Sequence, residues 1–171
     1  MGVGDLLVAK FYVGKGLEEY ISKLGNLEFE APEAMGKAIF SAAELVADAT
    51  NAALRNLPVD HGQTKSKNNH HVRRDLTTYE KQGLLDSFGI SREQNDNGYI
   101  NVKIGVDGYN GHVTKKQPKG APNVAVARSL EKGTSFMRRN PVFSKTARAK
   151  KAEAERVMQE TLDKEINKIM N

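Results

Sequence analysis

The side chains best suited to bind a metal are four histidines, His61, His70, His71 and His112. His70 and His71 are adjacent, so their imidazoles diverge in most backbone conformations. No His-x-x-x-His spacing accompanies them, and the chain has no cysteine, which removes thiolate sites and disulfides together. This pattern reads as solvated loop histidines, with no metal and no cofactor. Nucleophilic catalysis fares no better. Ser87 and Ser135 lie in no GxSxG-type turn that would expose and activate a hydroxyl. The carboxylate pairs Glu153/Glu155 and Asp163/Glu165 are two residues apart on a helical stretch and point to different sides. Neither GxxxxGK[ST] nor GxGxxG occurs, so no phosphate cradle is legible. The chain reads as a non-enzyme.

Basic side chains do cluster. Lys65, Lys67, Arg73 and Arg74 form one group, Lys115, Lys116 and Lys119 a second, and Arg138, Arg139, Lys145, Arg148, Lys150 and Lys151 a third. Such groups neutralise phosphates and give salt-dependent, sequence-blind affinity. Base readout usually adds a recognition helix or stacking aromatics, and the two basic loops interleave no aromatic with their charges. The clusters therefore admit two readings: a sequence-nonspecific DNA-binding accessory protein, or a surface that meets an acidic partner.

These residues need elements to position them. Leu7, Ala9, Phe11 and Val13 alternate with Val8, Lys10 and Tyr12, so residues 1–14 read as an N-terminal arm or strand. Leu17, Tyr20, Ile21 and Leu24 recur at helical spacing before Gly25, a C-terminal stop. Pro32 suits a first helical position. After it Met35, Ile39, Ala42, Val46, Ala49 and Ala53 fall on one stripe, widened by Leu45 and Leu54. This predicts a central helix over 32–57, ended by Pro58. Residues 58–82 are polar, basic and without period, and read as an extended loop. Phe88 and Ile90, the turn cluster Asn95-Asp-Asn-Gly98, and the alternation of Ile100, Val102, Ile104 and Val106 predict a hairpin with one buried face. A second loop spans 108–123. A short helix through Val124, Ala127 and Leu130 stops at Gly133. Asn140-Pro141 then caps a long C-terminal helix marked by Phe143, Ala147, Ala154, Met158, Leu162, Ile166 and Ile169. The expected core is Ile39, Val46, Ala49, Phe88, Ile90, Ile100, Val102, Ile104, Phe143 and Met158, with Gly83, Gly105, Gly133 and Pro141 setting turns. The fold class is α+β: a long central helix and a C-terminal helix packed on a small, mainly antiparallel β-sheet with long basic loops.

The 171 residues suit one domain spanning 1–171. With 39% hydrophobic and 6% aromatic residues, a core is possible but small. The longest apolar runs, Leu6 to Ala9 among them, are four residues against the ~20 of a spanning helix, and no secretory signal is legible. The absence of cysteine fits synthesis in a reducing cytoplasm. The net charge of +5 hides an asymmetry. Residues 1–60 carry five Lys/Arg against nine Asp/Glu, and the remainder carries 21 against 12. Unlike surfaces attract, so copies could stack head to tail, or the basic part could face a polyanion.

Taken in order, several short motifs resemble one family. They are Gly16-Leu-Glu-Glu-Tyr-Ile-Ser-Lys-Leu24, a long Ala-rich helix ending in Leu57-Pro-Val-Asp60, and Gly83-Leu-Leu-Asp-Ser-Phe-Gly-Ile90. An alternating strand ending at Gly105-Val106, Glu131-Lys-Gly-Thr134, and Asn140-Pro-Val-Phe143 follow. The order is similar to that of the tail-completion, or tail–head-joining (neck), proteins of long-tailed bacteriophages. There the matching positions Pro58, Asp60, Gly83, Leu84, Ser87, Glu131, Gly133, Thr134, Pro141 and Phe143 belong to a proline turn, a Gly-x-Leu-x-x-Ser step, a Glu-x-Gly-Thr turn and a Pro-Phe-like helix start. The likeness runs from about residue 16 to 165. Two departures stand out: about twenty residues, roughly 62–82, intervene where the family runs almost directly on, and His61 stands where threonine is common.

The resemblance implies a structural virion protein, assembled in the host bacterial cytoplasm and without membrane contact. It would form a homo-oligomeric ring, typically a hexamer, on the head-proximal end of the tail tube. The ring would terminate the tube protein's polymerisation and dock onto the head connector, with passing contact to genome DNA in the lumen. The expected partner-contact residues are Lys65, Lys67, Arg73, Arg74, Lys115, Lys116, Arg138 and Arg139. The long loop suits a segment that orders on an acidic neighbouring rim.

Overall fold

In the computed structural model, the structure describes residues 15–60, 75–96 and 99–170. The arm 1–14, most of the basic loop, and Asn97-Gly98 of the expected turn lie outside them. So do Lys65, Lys67, Arg73, Arg74, His61, His70 and His71.

The chain begins with α1, Lys15–Arg55, a single helix of 41 residues. The two helices expected around Gly25 are therefore one. Between Leu24 and Pro32 every residue except Gly25 and Asn26 is Leu, Glu, Phe or Ala, and nothing there forms a turn that would break the helix. Pro32 lies inside it, at the cost of the one bond its missing N–H would have made to the Glu28 carbonyl. Among the residues whose side chains are described, the buried face is built from Ala34, Ala38, Ala42, Ala43, Ala47, Thr50 and Leu54, and Leu57 is buried just beyond the helix end. It is rotated from the expected stripe: Met35 is exposed, and Ile39, Val46 and Ala49 are half-buried. Small side chains win the inner face because a second helix needs close approach there.

That second helix is α4, Val142–Met170, which packs along α1 more extensively than any other pair of elements. The two run antiparallel. Val142 joins Leu54 in the core at one end, and Lys37 meets Glu165 at the other. Along α4 only Val142 is fully buried, whereas Met158, Leu162 and Ile166 are half-buried and Ala147 is exposed.

α2, Thr78–Ser87, occupies the end of the expected loop. Its start signal is a capping box: Thr77 Oγ1 accepts the Glu80 amide at 3.3 Å, and the Glu80 carboxylate accepts the Thr77 amide at 2.9 Å. Gly83 consequently lies in a helix and sets no turn.

Two short antiparallel ladders follow. β1, Phe88–Ile90, pairs with β4, Ile104–Val106, while β2, Gln94–Asp96, pairs with β3, Tyr99–Asn101. The expected strand through 100–106 is thus broken. Between the ladders, Ser91–Glu93 face only Val102–Lys103, three residues against two, as in a bulge. Ser91 N–H donates to the Lys103 carbonyl at 2.7 Å, and the Ser91 hydroxyl oxygen accepts the Lys103 amide at 2.9 Å. The bulge re-aims the strand, which corrects the single buried face: Ile100 is buried, Val102 and Ile90 are half-buried, and Ile104 is 36% exposed.

α3, Asn123–Lys132, ends at Gly133 with φ 76°, as its pattern predicts. The main core joins Leu54, Leu57, Leu76, Leu84, Val126, Leu130, Met137 and Val142, with Phe88 and Phe143 at its margin. It gathers the ends of all four helices rather than the sheet. The architecture is α+β: four helices, long α1 and α4 packed together, with small two-stranded antiparallel sheets.

Candidate functional site

The motif residues of the resemblance sit at the joints between elements. After α1, Lys81 Nζ donates to the carbonyls of Arg55 at 2.6 Å and Leu57 at 2.7 Å, capping the helix end with charge. Pro58 cannot extend the helix. Beyond it, Val59 forms a parallel bridge with Leu76, and the Asp60 amide donates to the Leu76 carbonyl at 2.8 Å. Val59 and Asp60 are thereby held beside Leu76.

The Gly83–Ser87 step makes the second joint. Leu84 is completely buried in the core. A Cβ at Gly83 would lie 2.7 Å from Asn110 Cα and 2.6 Å from Asn123 Oδ1, so only hydrogen fits. The Ser87 hydroxyl donates to the Gly83 carbonyl at 2.6 Å and accepts from Asn123 Nδ2 at 3.0 Å. Asn123, 1% exposed, also donates to the Asp107 carbonyl at 2.8 Å. Its Oδ1 has no hydrogen-bond partner among the described residues and rests against Gly83. Asn110 Oδ1 accepts the amides of His112 and Ala121, closing the 109–122 loop on itself. The asparagines are the residues that sequence reasoning missed; only their flanking glycines and Pro122 hinted at a built loop.

Glu131 makes the third joint. Its carboxylate accepts the Phe143 amide at 2.6 Å, the Ser144 amide at 3.3 Å and the Ser144 hydroxyl at 2.7 Å. A negative charge thus receives the first free amides of α4. The cap expected from Asn140 comes from Glu131 instead, with Asn140 contributing its amide to the Leu130 carbonyl. Thr134 Oγ1 accepts the Met137 amide at 3.0 Å, and a Cβ at Gly133 would press on Arg139. Pro141 directly precedes α4, and its carbonyl takes the Lys145 amide.

The basic residues expected to meet a partner occupy two connections. Lys115 and Lys116 are exposed at the tip of the 109–122 loop, inside a turn closed by reciprocal Thr114–Gln117 amide bonds. Arg138 and Arg139 are exposed between α3 and α4, and Arg139 Nε donates to the Glu131 carbonyl at 3.1 Å. The α4 charges are partly spent on their own helix: Lys150 pairs with Glu153, Lys151 with Glu155 and Arg156 with Glu160. No three His, Asp or Glu side chains group as a metal site among the described residues, and no described helix is long and apolar enough to cross a membrane. Ser87 is committed to the Gly83–Asn123 joint. His112 stacks on Tyr79 with ring centroids 4.7 Å apart.

One electrostatic clasp stands apart from the joints. Glu165 on α4 accepts from Lys168 and from Lys37 of α1, the latter at 3.1 Å, and Lys37 also reaches Glu33 at 2.9 Å. The bonds from Lys168 and then Lys37 hold the Glu165 carboxyl below the usual glutamate range, and those to Glu33 and then Glu165 raise Lys37.

Compared with known proteins, the chain matches no family model, and no curated protein and no solved structure is significantly similar to it.

Proposed function

We propose that this chain is a non-enzymatic structural protein of the phage neck: a ring-forming subunit that terminates the tail tube and joins it to the head connector. The observation that carries the reading is the mapping of motif onto joint. Pro58 and Asp60, Gly83, Leu84 and Ser87, Glu131, Gly133 and Thr134, and Pro141 and Phe143 hold the junctions α1–α2, α2–α3 and α3–α4. Residues spent on angles between elements suit a protein that works by shape. The surface left over suits assembly. A ring needs two different patches that meet across each interface. Two-stranded ladders whose edges are unpaired among the described residues, a half-buried stripe on α4, and the exposed apolar residues Phe29, Phe40 and Phe136 supply apolar and backbone surface for them. Partners under this reading are other copies, the tube protein and the connector, in the virion.

Exposed Lys115 and Lys116 also favour a second reading, the sequence-nonspecific DNA-binding accessory protein. Two measurements separate the two. Electron microscopy of purified protein is expected to show closed rings, and a Lys115→Glu/Lys116→Glu chain to form rings that dock less well. Duplex binding at 50 mM salt that falls steeply as salt rises, with no assembly, would replace the neck reading by the DNA reading.

A further inference from the structure

The β1–β4 ladder has an open side. Hydrogen-bonded and non-bonded pairs alternate along an antiparallel ladder. The Ser91 N–H to Lys103 carbonyl bond makes 91/103 a bonded pair, so Gly89/Gly105 is the next, and Ile104 and Val106 turn their N–H and C=O groups away from β1. No described residue pairs with that edge of β4. Beside it runs a groove of about 400 Å³, floored by Val124 and Ala127 of α3 and Phe143 of α4 and flanked by Ile104 and Val106. Val124 is 47% exposed. A backbone edge bordering an apolar groove is what an added strand with alternating apolar side chains requires: amides for its backbone, a floor for every second side chain.

The chain carries one such segment outside the described residues. Leu7, Ala9, Phe11 and Val13 alternate with Val8, Lys10 and Tyr12. Reach decides whose edge it can meet. The ladder lies beside Phe40, Ala47 and Asn51 of α1, whereas Val13 is one residue from the start of that helix at Lys15. From Lys15 to Phe40 the helix is ~38 Å long, and even a right-angle bend at Pro32 would leave ~28 Å. Gly14 alone spans at most ~7 Å. A copy cannot lay residues 7–13 on its own β4.

We infer that residues 7–13 of one copy add as a strand to the Ile104–Val106 edge of another, with alternate apolar side chains seated in the groove beside α3. The inference deepens the ring reading and rests on it, since copies must meet. It makes the interface heterologous, arm to edge, as ring closure demands.

The test uses the full chain, whose lack of cysteine makes every introduced thiol unique. Lys10→Cys and Lys103→Cys copies, whose thiols would share the face turned away from the groove, are mixed, assembled and treated with a short bis-maleimide. Covalent dimers are expected from the mixture and neither variant alone. Amide exchange at Ile104 and Val106 is expected to slow roughly tenfold or more on assembly. An Ala9→Pro/Phe11→Pro chain, altered only outside the folded body, is expected to lose that protection. Rings that form with Ile104 and Val106 exchanging as in dilute protein, or with no mixed dimer, would overturn the arm-to-edge contact while leaving the ring intact. A chain that stays monomeric at every concentration would overturn both.

Discussion

Gly83 is the position where one atom decides most. Alanine normally gains about 1 kcal/mol over glycine in a helix interior. Here the added methyl would strike Asn110 backbone at 2.7 Å, and overpacking of a rigid neighbour typically costs 1–3 kcal/mol. Gly83→Ala is therefore expected to destabilise the chain, by about 1–2 kcal/mol in a denaturant titration, reversing the propensity rule. Glu131 gives a second residue-scale expectation. Glu131→Ala leaves the first amides of α4 without their acceptor and should cost about 1–2 kcal/mol, with Asn140→Ala nearly silent, since Glu131 provides the cap. The residue types at these positions were legible in the sequence as motif members, but not their work. Gly83 looks like a turn because Asn110 and Asn123, the groups that exclude a side chain there, lie 27 and 40 residues downstream. Likewise Ser87 is readable as an isolated hydroxyl and becomes a joint only beside Asn123.

At the scale of elements, α1 and α4 set the frame and the clasp of Lys37, Glu33, Glu165 and Lys168 closes its far end. Glu165 is held below its ordinary pKa, so its contribution is present above the unfolded value and is lost as pH falls through the depressed folded one. Lys37, raised, contributes below the ordinary lysine value and loses its share only as pH climbs through the raised one. The α1–α4 end is thus expected to loosen in acid, read as weaker amide protection near residues 162–168 below the ordinary glutamate pKa, and Glu165→Gln should show that weaker protection already at neutral pH with no further loss in acid. The groups are largely solvated, so the effect is confined to that end. Helices α3 and α4 were legible because their apolar spacing and flanking Gly133 and Pro141 agree. α1 was misread as two because Gly25 is a local stop signal and Pro32 a local start signal, and both lose to the helix-compatible run Leu27 to Ala31 between them. α2 was hidden by the polar run before it, although Thr77-x-x-Glu80 marks its start. The broken strand could not be read from period alone, since Ile100 to Val106 alternate perfectly through the bulge that Ser91 creates from across the ladder.

At the scale of the molecule, the core lies at the meeting of four helix ends, and among the described residues much of α4 stays half-covered and the strand edges stay unpaired, which leaves apolar surface and backbone groups for a partner. Burial of that surface between copies would add stability by mass action, and melting temperature is expected to rise with protein concentration if copies associate. The asymmetry of charge, acidic through residue 60 and basic beyond, favours unlike faces meeting. High salt is accordingly expected to weaken assembly, checked by light scattering across a salt series. The decisive measurement is the mass of the purified full chain in solution, followed by electron microscopy of the same sample. The neck-ring account predicts a closed ring, about six times the 18.8 kDa chain mass, that disappears on dilution or in high salt. A single 18.8 kDa species at all concentrations, never entering particles, would contradict it.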